Sequence, residues 1–382
     1  MRTLGCRALA VPVLFVLFTA TLPASPQTPA SSQTPASTQT PASSRHPGPF
    51  TVMRLGHHEA AAFRDISKGR FHDALKHRTT MLKIQGVACE ADEQCRMLKA
   101  FASSPDMAVT ARREATIPYA ISDGHLFVPL TINGRSAQYI LDTGAPYSGM
   151  TEAEAVRLGL TIIDVPRGSW IGDASGIGMR FTKVAVASQL QIAGIQLTNV
   201  PFLLSERDDL RVWNRLPEEW RGAIGLQVLF AIGRARWNSQ GTIDIAAPAQ
   251  RTRAAAARMH LHGTDISVDG HFNGRKIEFY LDTGSSWSKL DTPFAKEFPD
   301  AMKAAGEQTT QHSSGGGGTV EIPIRRLPEL TLSIGSFQTT YRPMVYRVSD
   351  KPWKYFGTIG LDGFSKAQSV TLDFQKMKLT AE

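Results

Sequence analysis

GHLFVPLTINGRSAQYILDTG, residues 124–144, and GHFNGRKIEFYLDTG, residues 270–284, are two writings of one pattern. Each places an Asn-Gly dipeptide after an apolar run, then an apolar strand, then Leu-Asp-Thr-Gly. Asn-Gly between apolar runs signals a two-residue hairpin, because its central residues tolerate the positive φ that such a turn needs. The recurrence continues downstream: GAIGL at 222–226 returns as GTIGL at 357–361, and GTIDI at 241–245 returns as VTLDF at 370–374. The three pairs are offset by 140, 135 and 129 residues, the spacing of a tandem duplication with small insertions. Short β-rich runs such as HLFVPLTI, QYILDTG and KVAVAS, divided by Gly, Asn and Pro, fill the region. The pattern predicts a mainly β protein with two similar lobes, residues 113–250 and 251–382.

The remainder of the chain reads differently. Arg2 and Arg7 precede an apolar run from Ala8 to Ala20, with Ala20, Ala24 and Ser25 beyond it. That is the order of a secretory signal peptide, over residues 1–24. The run is too short to span a bilayer comfortably, so no stable membrane span is expected once it is removed. The expected location is the periplasm or the exterior, with a membrane tether if the signal stays uncleaved. Residues 25–50 repeat TPAS-type units, a Pro/Ser/Thr-rich linker unable to bury a core. Residues 51–112 read as helical, with Phe71, Ala74, Leu75 and Leu82 near one face. This segment carries Arg64, Lys68, Arg70, Lys76, Arg78 and Lys83, and two roles are open: a pro-segment across an acidic cleft, or a permanent accessory module.

Composition excludes several classes. With 42% hydrophobic and 20% charged residues among 382, the chain is globular and long enough for two or three domains. The net charge of +8 is scattered rather than clustered, so no nucleic-acid partner is expected. Three cysteines are too few for a disulfide scaffold. In an exported chain, Cys89 and Cys95 are expected to form a disulfide. They lack the partners of a zinc site, and no HExxH motif accompanies the ten histidines, so no metal is expected. Ser148, Ser286 and Ser288 have no G-x-S-x-G context for serine hydrolase chemistry. Asp244 and Asp373 recur at matching strand-like places and read as structural turn residues. Trp170, Trp213, Trp220 and Trp287 read as core packing before cleft lining.

A single DTG is weak: roughly one chain in ten of this length holds one by chance. Two copies, each followed by an apolar-Ile-Gly-Leu segment, are far harder to reach by accident. Asp142 and Asp282 at strand-to-loop corners would present their carboxylates outward. Thr143 and Thr283 can fix the loops through their hydroxyls. Gly144 and Gly284 permit close backbone approach and offer amides to the carboxylates. If the loops meet about a pseudo-twofold axis, two carboxylates about 3 Å apart share one proton. One can then take a proton from water while the other donates to a carbonyl oxygen, with no cofactor.

On these residues the sequence resembles bilobed aspartic proteases of the pepsin and retropepsin kind, over about residues 117–382. LDTGA at 141–145 is retropepsin-like and LDTGS at 281–285 is closer to pepsins. SGMTEAEAVRLGL after the first DTG resembles bacterial retropepsin-like domains. The resemblance implies two acid-protease-like β-barrel lobes, a catalytic Asp142/Asp282 pair, interlocked Thr143 and Thr283, and Gly144 and Gly284 in the carboxylate-binding turns. It also implies a Ser285 hydroxyl on the outer oxygen of Asp282. Ala145 stands where the second lobe has Ser285, and no flap tyrosine can be assigned. Two Gly-rich stretches, IGDASGIG at 171–178 with Gly172 and Gly176, and HSSGGGG at 312–318 with Gly315 and Gly316, are the candidate substrate-covering flaps. A disordered loop is the competing reading of the four glycines. The expected function is hydrolysis of peptide or protein substrates by an exported, monomeric endopeptidase. The alternatives are a non-catalytic peptide-binding module of the same ancestry and an obligate dimer pairing lobes between chains.

Overall fold

The computed structural model describes residues 49–171, 179–205, 222–248, 253–315, 318–350 and 353–382. The signal, most of the linker, Gly172, Gly176, Gly316, Trp213 and Trp220 lie outside them.

Both Asn-Gly dipeptides form two-residue hairpin turns. Asn133 and Gly134 have φ of 49° and 78°, and Asn273 and Gly274 have 49° and 75°. Ile132 pairs with Arg135, and Phe272 with Arg275, closing the antiparallel ladders on either side. The second strands of the hairpins, Arg135–Leu141 and Arg275–Leu281, run straight into the two Asp-Thr-Gly loops. Beside each lies the recurrent short strand in parallel register: Ile224 opposite Leu141, and Ile359 opposite Leu281. Each short strand also pairs antiparallel with the strand that leaves the loop, Ser148–Thr151 in one lobe and Lys289–Leu290 in the other. Leu281, Leu290 and Ile359 are wholly buried, so one face of this arrangement is core.

The protein is mainly β, with two sheet-rich lobes and an N-terminal helical segment. The lobes also share a sheet. Its order is Ala115–Pro118, Thr242–Ile245, Arg234–Asn238, Ser369–Asp373, Lys378–Ala381, Ala257–His262, all antiparallel. The recurrent TIDI and TLDF runs are strands of this sheet. Asp373 keeps the turn role read from sequence, accepting from the amides of Gln375 and Lys376 at 3.1 and 2.9 Å. Asp244 instead sits mid-strand and accepts from the Thr116 hydroxyl at 2.6 Å.

Asp373 does more. It receives Nε of the buried Arg234 at 3.0 Å, a pair joining the two halves across the shared sheet. The Arg234 guanidinium also donates to the Ala247 carbonyl at 2.7 Å. Removing one partner strands a buried charge, which costs about 3 kcal/mol or more. Asp373→Ala is therefore expected to lower unfolding free energy by about that amount in denaturant titration, and a change within error would contradict it.

The helical segment comprises Pro49–Ser67, Phe71–Gln85 and Glu93–Phe101. Phe71, Ala74 and Leu82 are buried and Leu75 is partly so. Cys89 and Cys95 are disulfide-bonded, with Cα atoms 5.3 Å apart. The segment packs on the first lobe. Phe101 meets Tyr147 with ring centroids 5.6 Å apart, and Arg96 donates twice to the Gly168 carbonyl, at 3.1 and 2.8 Å. Several of its cations are paired inside the segment, among them Arg70 with Asp65, Arg78 with Asp92 and Lys99 with Glu90. Strand structure begins at Ala108, earlier than the composition change at 113, because Ala108–Arg112 pairs with Ile195–Ser205 of the first lobe. Among the described residues, no helix is long and apolar enough to cross a membrane.

Candidate active site

The two Asp-Thr-Gly loops face each other. Thr143 N donates to the Thr283 hydroxyl at 3.0 Å, and Thr283 N donates to the Thr143 hydroxyl at 2.9 Å. Each hydroxyl then donates across to the strand end of the other lobe, Thr143 to Leu281 O at 2.8 Å and Thr283 to Leu141 O at 2.6 Å. Both threonines are almost completely buried, 1% and 3% exposed, so the lattice is shielded from competing water. The loops are anchored behind in matching fashion. Asp142 N donates to Ile224 O and Asp282 N to Ile359 O, both at 3.0 Å.

This clasp brings Asp142 and Asp282 into hydrogen-bond contact with each other. Gly144 N and Ala145 N donate to Asp142 Oδ1 at 2.8 and 3.1 Å, and the Gly284 amide serves Asp282. The glycines matter for space as well. A Cβ on Gly144 would lie 2.4 Å from Asp282 Oδ1, and one on Gly284 would lie 2.3 Å from Asp142 Cγ. Each carboxylate thus rests against the bare backbone of the opposite loop.

The two carboxylates are unlike. Burial first, and then the Asp282 charge, push Asp142 up to about 8. Burial also raises Asp282, but the Lys289 ammonium, the hydrogen bond from Asp142 and the Gly284 amide all pull it back. Burial raises both carboxylates, so the two share one proton whose apparent pKa values belong to the pair. Tyr280, whose hydroxyl donates to Gly144 O at 2.8 Å, is held well above its ordinary value by burial and by the Asp282 charge, so it remains a donor. His125 lies near the Gly284 backbone. Burial holds its imidazole below the usual value against the pull of the Gly284 backbone and Asp282, and its buried Nδ1 has no partner among the described residues.

Ser285 corrects an expectation. Its hydroxyl donates to Trp287 O at 2.9 Å and not to the outer oxygen of Asp282. The turn after the loop brings that carbonyl within reach, and a neutral two-residue bond satisfies the hydroxyl locally. Ser148 and Ser288, set aside as nucleophiles, instead hold the recurrent Ile-Gly segments. Ser148 accepts from Gly225 N at 3.0 Å and Ser288 from Gly360 N at 2.9 Å. Their identical position after the two aspartates was readable from the repeat.

The strands flanking the Gly-rich stretches pair with each other. Thr161–Ile171 pairs with Met179–Ile192 up to Ile171 opposite Met179, and Thr309–Gly315 pairs with Gly318–Leu327 up to Gly315 opposite Gly318. Gly172, Gly176 and Gly316 fall outside the described residues. A separate cavity of about 840 Å³, lined by Arg64, Lys68, Arg258, Phe374 and Lys376 among others, includes neither aspartate. The chemistry points to the dyad, where two coupled carboxylates converge. Among the described residues, no cluster of His, Cys, Asp and Glu could hold a metal.

Family comparison agrees with this geometry. Residues 128–212 match the family model described as "gag-polyprotein putative aspartyl protease", and residues 268–351 match the model "Aspartyl protease". The two matches, one in each lobe, support a bilobed protein of the retropepsin and pepsin-like aspartic protease kind. Among solved structures it is similar to the basic 7S globulin of soybean, at 11% identity and TM-score 0.42, covering 71% of this chain and 96% of that one. It is similar to conglutin gamma, a basic 7S globulin from lupine seeds, at 8% identity and TM-score 0.41, covering 70% and 94%. A retropepsin-like aspartic protease from Rickettsia conorii aligns at 16% identity and TM-score 0.25, covering 37% of this chain and 96% of its own. These likenesses are distant. No curated protein sequence matches significantly.

Proposed function

We propose that the chain is an exported aspartic endopeptidase that hydrolyses peptide bonds with a water held between Asp142 and Asp282. The observation that carries this is the contact between the two carboxylates across the interlocked threonines. Such a pair has no structural task that a hydrophobic contact would not perform more cheaply.

Asp282, ionised, accepts a proton from the water as its oxygen attacks the peptide carbonyl carbon. Asp142 donates its proton to the carbonyl oxygen, giving a neutral gem-diol and leaving its own carboxylate charged. Collapse breaks the C–N bond. The nitrogen leaves with the proton from Asp282, and a diol hydroxyl returns its proton to Asp142. Both carboxylates then regain their starting states. Because both come from one chain, the protein acts as a monomer on peptide or protein substrates. The Gly-rich stretches with Gly172, Gly176, Gly315 and Gly316 are the proposed substrate-covering segments, as the family resemblance implies.

The pH profile of kcat/KM with an internally quenched peptide tests this reading. Activity requires one proton on the pair, so it should fall on the alkaline side as Asp142 loses its proton near pH 8. It should fall on the acid side as Asp282 gains one. A rate independent of pH across that alkaline range would contradict the dyad mechanism.

A further inference from the structure

Lys289 occupies in the second lobe the place that Gly149 holds in the first. Each directly follows the serine that holds the Ile-Gly amide, and each pairs antiparallel with the short strand, Gly149 with Ala223 and Lys289 with Thr358. The duplicated frame is thus the same on both sides, but only one side projects a charged side chain.

The side chain lies on the Tyr280 face of the sheet. Lys289 pairs with Thr358, and Thr358 pairs with Tyr280, so the three share one face of the sheet. Leu281, Leu290 and Ile359, their neighbours in sequence, form the opposite, wholly buried face. On the Lys289 face, Tyr280 reaches across to the Gly144 carbonyl of the opposing catalytic loop at 2.8 Å.

Lysine is rarely buried unless paired, yet Lys289 is only 7% exposed. Among the described residues its ammonium has no hydrogen-bond or ion-pair partner and rests 5.1 Å from the centroid of the Trp287 ring. The adjacent Asp291 attracts Lys289 without hydrogen-bonding it: its Oδ1 is engaged by Arg347 Nε at 2.7 Å, its Oδ2 has no partner among the described residues, and Arg347 itself repels Lys289. Asp282 attracts Lys289, but that carboxylate is committed to Asp142 and the Gly284 amide. A buried cation near the reacting carboxylates that makes no hydrogen bond or ion pair of its own among the described residues gains from an anion that arrives with the substrate.

We propose that Lys289 is a specificity-determining residue that pairs with an acidic side chain of the bound peptide close to the scissile bond. The inference rests on the peptidase reading above. A charge-assisted hydrogen bond at such a site favours the acidic peptide by about tenfold to a hundredfold.

The test compares full-chain wild type, Lys289→Met, Lys289→Arg and Lys289→Glu on a mixed peptide library. Each is then assayed on matched peptides that differ only by Glu or Gln flanking the mapped cleavage site. Wild type and Lys289→Arg should prefer the Glu peptide by about tenfold or more in kcat/KM. Lys289→Met should lose that preference while still cutting the Gln peptide, and Lys289→Glu should turn toward Lys- or Arg-containing peptides. Cleavage by wild type without an acidic preference would overturn the inference alone, as would an unchanged preference in Lys289→Met. A pH profile altered in Lys289→Met with preference unchanged would also overturn it, assigning the lysine only to holding Asp282 ionised. Wild type that cuts no peptide at any pH would instead overturn the peptidase reading.

Discussion

Asp142→Asn and Asp282→Asn should each lower kcat for peptide hydrolysis by about a hundredfold to ten-thousandfold, the range attached to a positioned acid or base. The argument is geometric before it is electrostatic. The carboxylates share one proton, so either amide leaves the pair without both a base and a donor in the right places. Groups that act as a unit are not additive, and the double variant should be no worse than either single one. Neither change touches the threonine clasp, so thermal unfolding should shift little. Full activity in one single variant would refute the shared-dyad mechanism.

Gly284→Ala should be nearly as damaging although it removes no chemical group. The added Cβ would sit 2.3 Å from Asp142 Cγ, far inside ordinary carbon–carbon contact at about 3.5–4.0 Å. Either the carboxylate or the loop must yield by about 1 Å. A misplacement of that size near a reacting pair costs about a hundredfold in rate. Gly144→Ala meets Asp282 Oδ1 at 2.4 Å and should behave alike. Gly56→Ala, where a Cβ meets nothing within 4 Å, is the control and should leave activity unchanged. Wild-type kcat in Gly284→Ala would mean that the loops do not approach as closely during turnover as they do in this structure.

Much of this was legible in the sequence because it is local or repeated. Asn133-Gly134 and Asn273-Gly274 announced their hairpins by residue type alone, since few residues accept positive φ at both turn positions. The facing of Asp142 and Asp282 followed from duplication: two copies of one loop with no other plausible use for both. The shared sheet was not legible. Its central pairing joins Arg234–Asn238 to Ser369–Asp373, more than a hundred residues apart, and a strand pattern does not name its partner. The motif does not encode the Ser285 partner, because the turn that follows brings the Trp287 carbonyl within reach of the hydroxyl. Lys289 and His125 carried no signal of their own. A lone lysine or histidine gains meaning only when the fold sets it beside a carboxylate. Comparing the repeats position by position exposes Lys289 against Gly149, and that contrast was available in the sequence.

The central claim, that the Asp142/Asp282 pair cuts peptide bonds, is tested most directly by incubating the purified chain with a mixed peptide library. Products would be read by mass spectrometry across acid to mildly alkaline pH, with and without a statine-type inhibitor. The account predicts new peptide termini that vanish with the inhibitor and are absent with Asp142→Asn. Peptides bound and recovered uncut at every pH, with no response to the inhibitor, would contradict it and leave a peptide-binding protein of aspartic protease ancestry.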